Sequence, residues 1–130
     1  MRKTKEDYIK YRISKSDEVF EDARILASSQ RWNSCVNRLY YSAFYLVSAL
    51  LYKMDIKADT HNGIKTQFFQ HFVKTNHINK DFAKLYSHLF DWRQESDYAD
   101  FIEFDQKTTE PLIEKVYELN CTIKELIKAE

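Results

Sequence analysis

Arg38 is the lone charge between Trp32 and Tyr52, in the run WNSCVNRLYYSAFYLVSALLY. A guanidinium within such a segment must find carboxylate, phosphate or carbonyl partners to offset its desolvation. One reading pairs it with an acidic residue of the fourth helix. The other is an anion or nucleotide contact framed by Tyr41 and Tyr45, whose rings can stack on a base or on the guanidinium itself. Arg93 and Asp97 lie four residues apart in Arg93-Gln94-Glu95-Ser96-Asp97-Tyr98 and share a helix face, so a local ion pair is the plain expectation and an anion site the sharper one. His61, in Asp59-Thr60-His61-Asn62-Gly63-Ile64, stands where backbone N–H groups at a helix start favour an anion. It reads either as a capping or packing residue or as a catalytic imidazole. His71, His77 and His88 show no metal-ligand spacing, and a single glycine excludes the usual phosphate loop, so no metal or cofactor is expected.

The segment that carries Arg38 has two faces. Wound as a helix, it places Val36, Leu39, Tyr40, Ala43, Val47, Leu50 and Met54 on one side, which requires a core. Ser34, Arg38, Tyr41, Tyr45, Ser48 and Tyr52 form a second stripe nearly opposite. A helix needing cover on both sides is a central helix, or one whose second face meets a subunit or a ligand. Its uncharged part is too short and too polar to span a membrane.

With 130 residues, one glycine and one proline, the chain reads as a single all-α domain over residues 1–130, an up-and-down bundle of four to five helices. The expected helices run from Thr4 to Ser29, from Trp32 to Met54, from Asp59 or Thr60 to Thr75, from Asn79 or Asp81 to Tyr98, and from a start between Asp105 and Pro111 to the end. Tyr8 and Tyr11 are expected among the apolar positions of the first helix. The short connection between the first two makes them an antiparallel hairpin. Cys35 and Cys121 read as buried thiols of a reducing compartment, and the charged N-terminus lacks a signal-peptide core, so a cytoplasmic protein is expected. Twenty basic and twenty acidic residues leave no global field for coating nucleic acid, so any such contact must be local. Arg2, Lys3, Lys5, Lys10, Arg12 and Lys15 form a mild basic excess, read as a solvated face with a phosphate-contacting patch as the lesser alternative.

The run Asn37-Arg38-Leu39-Tyr40-Tyr41-Ser42-Ala43-Phe44 with Ala49-Leu50-Leu51, then Thr60-His61-Asn62-Gly63-Ile64 with Phe68 and Phe72, then Arg93-Gln94-Glu95-Ser96-Asp97-Tyr98, resembles the HEPN domains, in particular small stand-alone prokaryotic ones. The resemblance implies a helical bundle, commonly a homodimer, often encoded beside a minimal nucleotidyltransferase in toxin–antitoxin-like systems. Many members are metal-independent ribonucleases whose arginine is followed after four to six residues by a histidine. Arg93 aligns with that arginine, but Tyr98 stands where the histidine belongs, and no arginine of this chain has a histidine five to seven positions later. The expectation is therefore a nucleotide-binding or interaction module with a degenerate ribonuclease motif. The alternatives are a ribonuclease using Arg93 with His61 or Tyr98, and a structural helical adaptor.

Overall fold

A computed structural model describes residues 4–98 and 103–129, with side chains described for 4–94 and 103–129. Among the described residues there are five α-helices and no strand: α1 Lys5–Ser28, α2 Trp32–Lys53, α3 His61–Phe68, α4 Lys80–Tyr98 and α5 Gln106–Lys128. A π-helical segment, Phe69–Val73, continues α3.

The starts follow from side chains that satisfy orphan N–H groups. Thr4 Oγ1 accepts from the Asp7 N–H while Asp7 Oδ2 accepts from the Thr4 N–H, a reciprocal capping box. Asn79 Oδ1 accepts from the Phe82 N–H at 2.8 Å and Asp105 Oδ1 from the Thr108 N–H at 2.9 Å. Backbone turns elsewhere require left-handed residues. Gln30 (φ 58°), Asp55 (φ 60°) and Asn76 (φ 65°) supply them, because the single glycine is used elsewhere. At the end of α2 the Ile56 N–H reaches the Leu51 carbonyl at 2.9 Å around Asp55, closing the helix.

Pro111 lies in the second turn of α5, not in its first as the proline rule suggests. The third helix stops being α-helical at Phe68. The Lys74 N–H bonds the Phe69 carbonyl five residues back, and the extra residue lets both Phe68 and Phe72 reach the core.

Helix α2 is the hub, packing on α1, α3, α4 and α5, whereas among the described residues α4 and α5 pack on each other far less closely. Leu39, Tyr40, Ala43, Leu46, Val47 and Leu50 are buried beneath Val116, Leu119 and Ile123 of α5 and Tyr86 and Leu89 of α4 in one core. Met54, expected on this face, is 53 % exposed because the helix has already ended. Tyr8 and Tyr11, expected inward, are exposed. The second stripe is only partly roofed: Ser48 is buried, Arg38, Tyr41 and Tyr45 are half-buried, and Ser34 and Tyr52 are exposed.

Inside the α1–α2–α5 contact sits a small polar lock. The Ser16 hydroxyl donates to the Ser42 carbonyl (2.7 Å), the Ser42 hydroxyl to the Leu39 carbonyl (2.7 Å), and the Asn120 amide to the Ser42 hydroxyl (3.1 Å). Such short-range pairing offsets the cost of burying polar groups and fixes the helices in register. At the rim, Lys124 bridges to Asp17 and Lys53 donates to the Ile127 and Ala129 carbonyls, satisfying the C-terminus of α5.

Candidate functional site

The corner where α2, α3 and α4 meet is built around Tyr40. This residue is fully buried, and a buried phenol needs a partner for its hydroxyl. The partner is His61 Nδ1, 2.8 Å away and 21 residues along the chain. His61 is placed there by the local start of α3. Thr60 caps the helix, its Oγ1 accepting from the Gly63 N–H at 2.8 Å. A Cβ at Gly63 would lie 2.9 Å from that same oxygen. The one glycine of the chain thus lets Thr60 cap closely, which makes His61 the first helical residue.

The imidazole stacks on Phe44 with ring centres 4.3 Å apart and meets Tyr41 edge-on at 5.8 Å. From α4, the Arg93 guanidinium lies 5.3 Å from the centre of the Tyr40 ring and 6.0 Å from that of Phe90. Lys65 lies over the other aromatic wall, 4.7 Å from the Phe90 centroid. Cations over ring faces are stabilised by the ring quadrupole while keeping their charge.

Burial lowers the His61 pKa from its ordinary value, and the nearby Arg93 charge lowers it further. Burial pushes the Tyr40 phenol up to about 12, with the Tyr86 phenol and the Arg93 charge pulling back only in part. The Tyr86 hydroxyl, wholly buried, approaches that of Tyr40 without reaching hydrogen-bonding geometry. At neutral pH, then, Tyr40 keeps its proton and His61 is uncharged. Were His61 Nδ1–H the donor, the Tyr40 O–H would have no acceptor of its own among the described residues. We therefore assign Tyr40 as donor, Nδ1 as acceptor and the ring proton to Nε2. That tautomer gives the corner one permanent cation and one neutral N–H donor, a pair suited to a phosphate oxygen.

Arg38 closes the other side of the cluster. Its Nε and Nη2 donate to Asn37 Oδ1 at 3.1 and 2.7 Å, and its guanidinium lies 5.1 Å from the Tyr41 ring centre. The ion pair with an acidic residue of α4 expected as one reading is not formed among the described residues; amide and ring take its place. Tyr45 meets Tyr41 at 6.4 Å. The fold therefore gathers Arg38, Tyr41, Tyr45, His61 and Arg93, from three helices, around Tyr40 and Phe44. Asp97 and Tyr98 fall in the last turn of α4, and their side chains lie outside the described residues, as does the Arg93–Asp97 pairing. Among the described residues no three His, Cys, Asp or Glu side chains group to hold a metal ion. No described helix is long and apolar enough to cross a membrane.

Sequence reasoning placed Tyr40 in the core and missed its polar end. The available signal was that a tyrosine on a core face must aim its hydroxyl at a partner.

The family model for the HEPN domain matches residues 9–126, which contain every residue of this cluster. A UPF0332 protein of Thermotoga maritima is 36 % identical over 124 residues, covering 95 % of this chain and 94 % of its own. The protein of Methanocaldococcus jannaschii named "Putative toxin MJ0142" is 34 % identical over 116 residues, covering 88 % of this chain and 79 % of its own. With a match across nearly its whole length and an all-α up-and-down bundle, the chain belongs to the HEPN family.

Proposed function

We propose that this HEPN protein binds the phosphate of a nucleotide or of RNA at the Arg93–His61 corner, as the helical component of a toxin–antitoxin-like pair. One observation carries the reading: Arg93 and His61, from different helices, sit about the single ring of Tyr40, where burial first and the Arg93 charge second lower the His61 pKa. Arg93 supplies the charge and His61 Nε2–H a neutral donor, with Arg38 on Tyr41 as a second cation. The name of the Methanocaldococcus relative points toward a toxin-like role. We further propose a homodimer acting in the cytoplasm beside a minimal nucleotidyltransferase, since the half-roofed tyrosine stripe of α2 is a face that a second copy or partner can cover. The whole chain, 1–130, works as one domain in this proposal. The test is binding of single-stranded RNA and of mononucleotides by titration calorimetry. Arg93→Gln is expected to weaken binding at least tenfold; unchanged affinity contradicts the reading. Light scattering that shows only monomer at micromolar concentration contradicts the dimer.

A second reading, a metal-independent ribonuclease, is favoured by His61 being held neutral, as a base at pH 7 must be. It requires the other tautomer, with the Nε2 lone pair free to take the 2′-hydroxyl proton while Arg93 stabilises the phosphorane, and Tyr98 as the remaining candidate acid. RNA incubated with the wild-type protein in the presence of a chelator decides it: cleavage abolished by His61→Gln supports this reading, and intact RNA ends it.

A further inference from the structure

The outer face of α3 and its π-helical continuation differs in charge from the rest of the chain. From Thr60 to Lys80 there is no aspartate or glutamate, in a protein that carries twenty acidic residues among 130, and the stretch holds Lys65, Lys74, Lys80 and three of the four histidines. Asn62, Lys65, Thr66, Phe69, Gln70 and Lys74, at helical spacing, line one shallow groove of about 290 Å³. Its near end meets the corner. Asn62 follows His61 directly, and the Lys65 ammonium lies 4.7 Å from the centre of the Phe90 ring, the same centre that is 6.0 Å from the Arg93 guanidinium. We propose that this groove carries the sugar–phosphate backbone of a single-stranded nucleic acid, so that the ligand whose phosphate lies at Arg93 and His61 is a polynucleotide and not a free nucleotide. The inference rests on the phosphate reading above and adds the path the ligand takes away from that corner.

Charge decides the class of partner. Neither Lys65 nor Lys74 forms an ion pair among the described residues, so the groove presents uncompensated positive charge to a polyanion although the chain as a whole is neutral. Length decides the size of that partner. Lys74 is thirteen residues beyond His61, up to about 20 Å along the helix at about 1.5 Å per residue. A mononucleotide cannot touch both ends, whereas successive phosphates of one strand can meet Arg93, Lys65 and Lys74 in turn. Composition favours nucleic acid over an acidic peptide. Phe69 is half-buried, with the Lys65 ammonium 5.8 Å from its ring centre, and exposes part of a ring on which an unpaired base can stack. Asn62, Thr66 and Gln70 add neutral donors of the kind that hold phosphate and sugar oxygens. A basic groove with an aromatic platform is the combination that binds single strands without reading their sequence. The path uses no residue of the α2 tyrosine stripe, which stays available to a second copy.

The experiment uses the full chain and three probes, AMP, a single-stranded RNA hexanucleotide and a hexaglutamate peptide, each titrated by calorimetry over a range of salt concentrations. The hexanucleotide is expected to bind about tenfold or more tightly than AMP, and the double variant Lys65→Gln with Lys74→Gln, altered outside the core, to weaken it about tenfold. In that variant the slope of log affinity against log salt should become shallower by about 1.4, as for two lost phosphate contacts on a single strand at about 0.7 each. Lys74→Gln alone should leave AMP affinity unchanged, while Arg93→Gln weakens AMP and the hexanucleotide alike. A hexanucleotide that binds no more tightly than AMP, or that keeps its wild-type affinity and salt slope in the double variant, overturns the backbone path; Arg93→Gln still weakening AMP then leaves the phosphate reading standing. Lysine-dependent binding of hexaglutamate in preference to the hexanucleotide also overturns it, and makes the face a docking site for an acidic protein segment. If neither AMP nor the hexanucleotide binds, the path and the phosphate corner fall together.

Discussion

The bundle holds two polar clusters anchored on α2, and they are built to opposite rules. The Ser16–Ser42–Asn120 lock is sealed between α1, α2 and α5, each residue no more than 5 % exposed, and contains only neutral groups, joined by hydrogen bonds of 2.7–3.1 Å, with the Asn120 Oδ1 left without a partner among the described residues. The Tyr40–His61–Arg93 corner, anchored two residues earlier on α2, is half-open and assembles a cation, an imidazole and a phenol, with burial lowering the His61 pKa and raising that of Tyr40 and the Arg93 charge lowering both. A polar group retained for register needs no charge and gains nothing from water. One retained for a ligand must keep a charge ready and leave it reachable. That contrast supports the proposal that a ligand is bound at the corner, with the lock serving the architecture.

Substitutions that separate the two should separate affinity from stability. Arg93→Gln should cost at least tenfold in RNA or nucleotide affinity, the equivalent of about 1.5–3 kcal/mol for a charge-assisted contact, measured by calorimetry. Asn120→Ala should do the reverse. Losing its bond to Ser42 should lower unfolding free energy in urea by about 1–3 kcal/mol, with ligand affinity unchanged in the folded protein. A loss of affinity in Asn120→Ala would erase the distinction between the clusters.

Much of the fold was legible because its signals are local. Apolar residues at helical spacing marked α2 and α5, and of the starts read at Thr4, at Asp59 or Thr60, at Asn79 or Asp81 and between Asp105 and Pro111, the structure uses Thr4, Thr60, Asn79 and Asp105 as caps. Tyr8, Tyr11 and Met54 were misplaced because periodicity gives a face but not the point where its cover ends. The switch to a π-helical turn at Phe69 left no trace in the pattern, since it is imposed by packing Phe68 and Phe72 together. The candidate site was legible in its parts, Arg38, His61 and Arg93, each singled out by residue type. What joins them is Tyr40, and a 21-residue contact from a core position to a helix start is a tertiary fact that spacing does not encode.

A smaller effect concerns pH. The folded protein holds the His61 pKa below the ordinary imidazole value, so the unfolded chain binds the proton more readily. Stability from this residue is present in full above the unfolded pKa of about 6.5, declines as pH falls below it, and levels off beneath the folded pKa. Urea midpoints measured between pH 7.5 and 5 should fall in the wild type and fall less in His61→Gln. The lock contributes nothing to that slope, having no group that titrates there.

The account depends most on Arg93 and His61 sharing one electrostatic site across α3 and α4, and NMR titration of the His61 imidazole in the wild type and in Arg93→Gln addresses it directly. The imidazole should titrate below about 6.5 in the wild type, and its pKa should rise when the Arg93 charge is removed. Titration at the same pH in both proteins would show that the two side chains do not sense each other, and the proposed phosphate site would lose its basis.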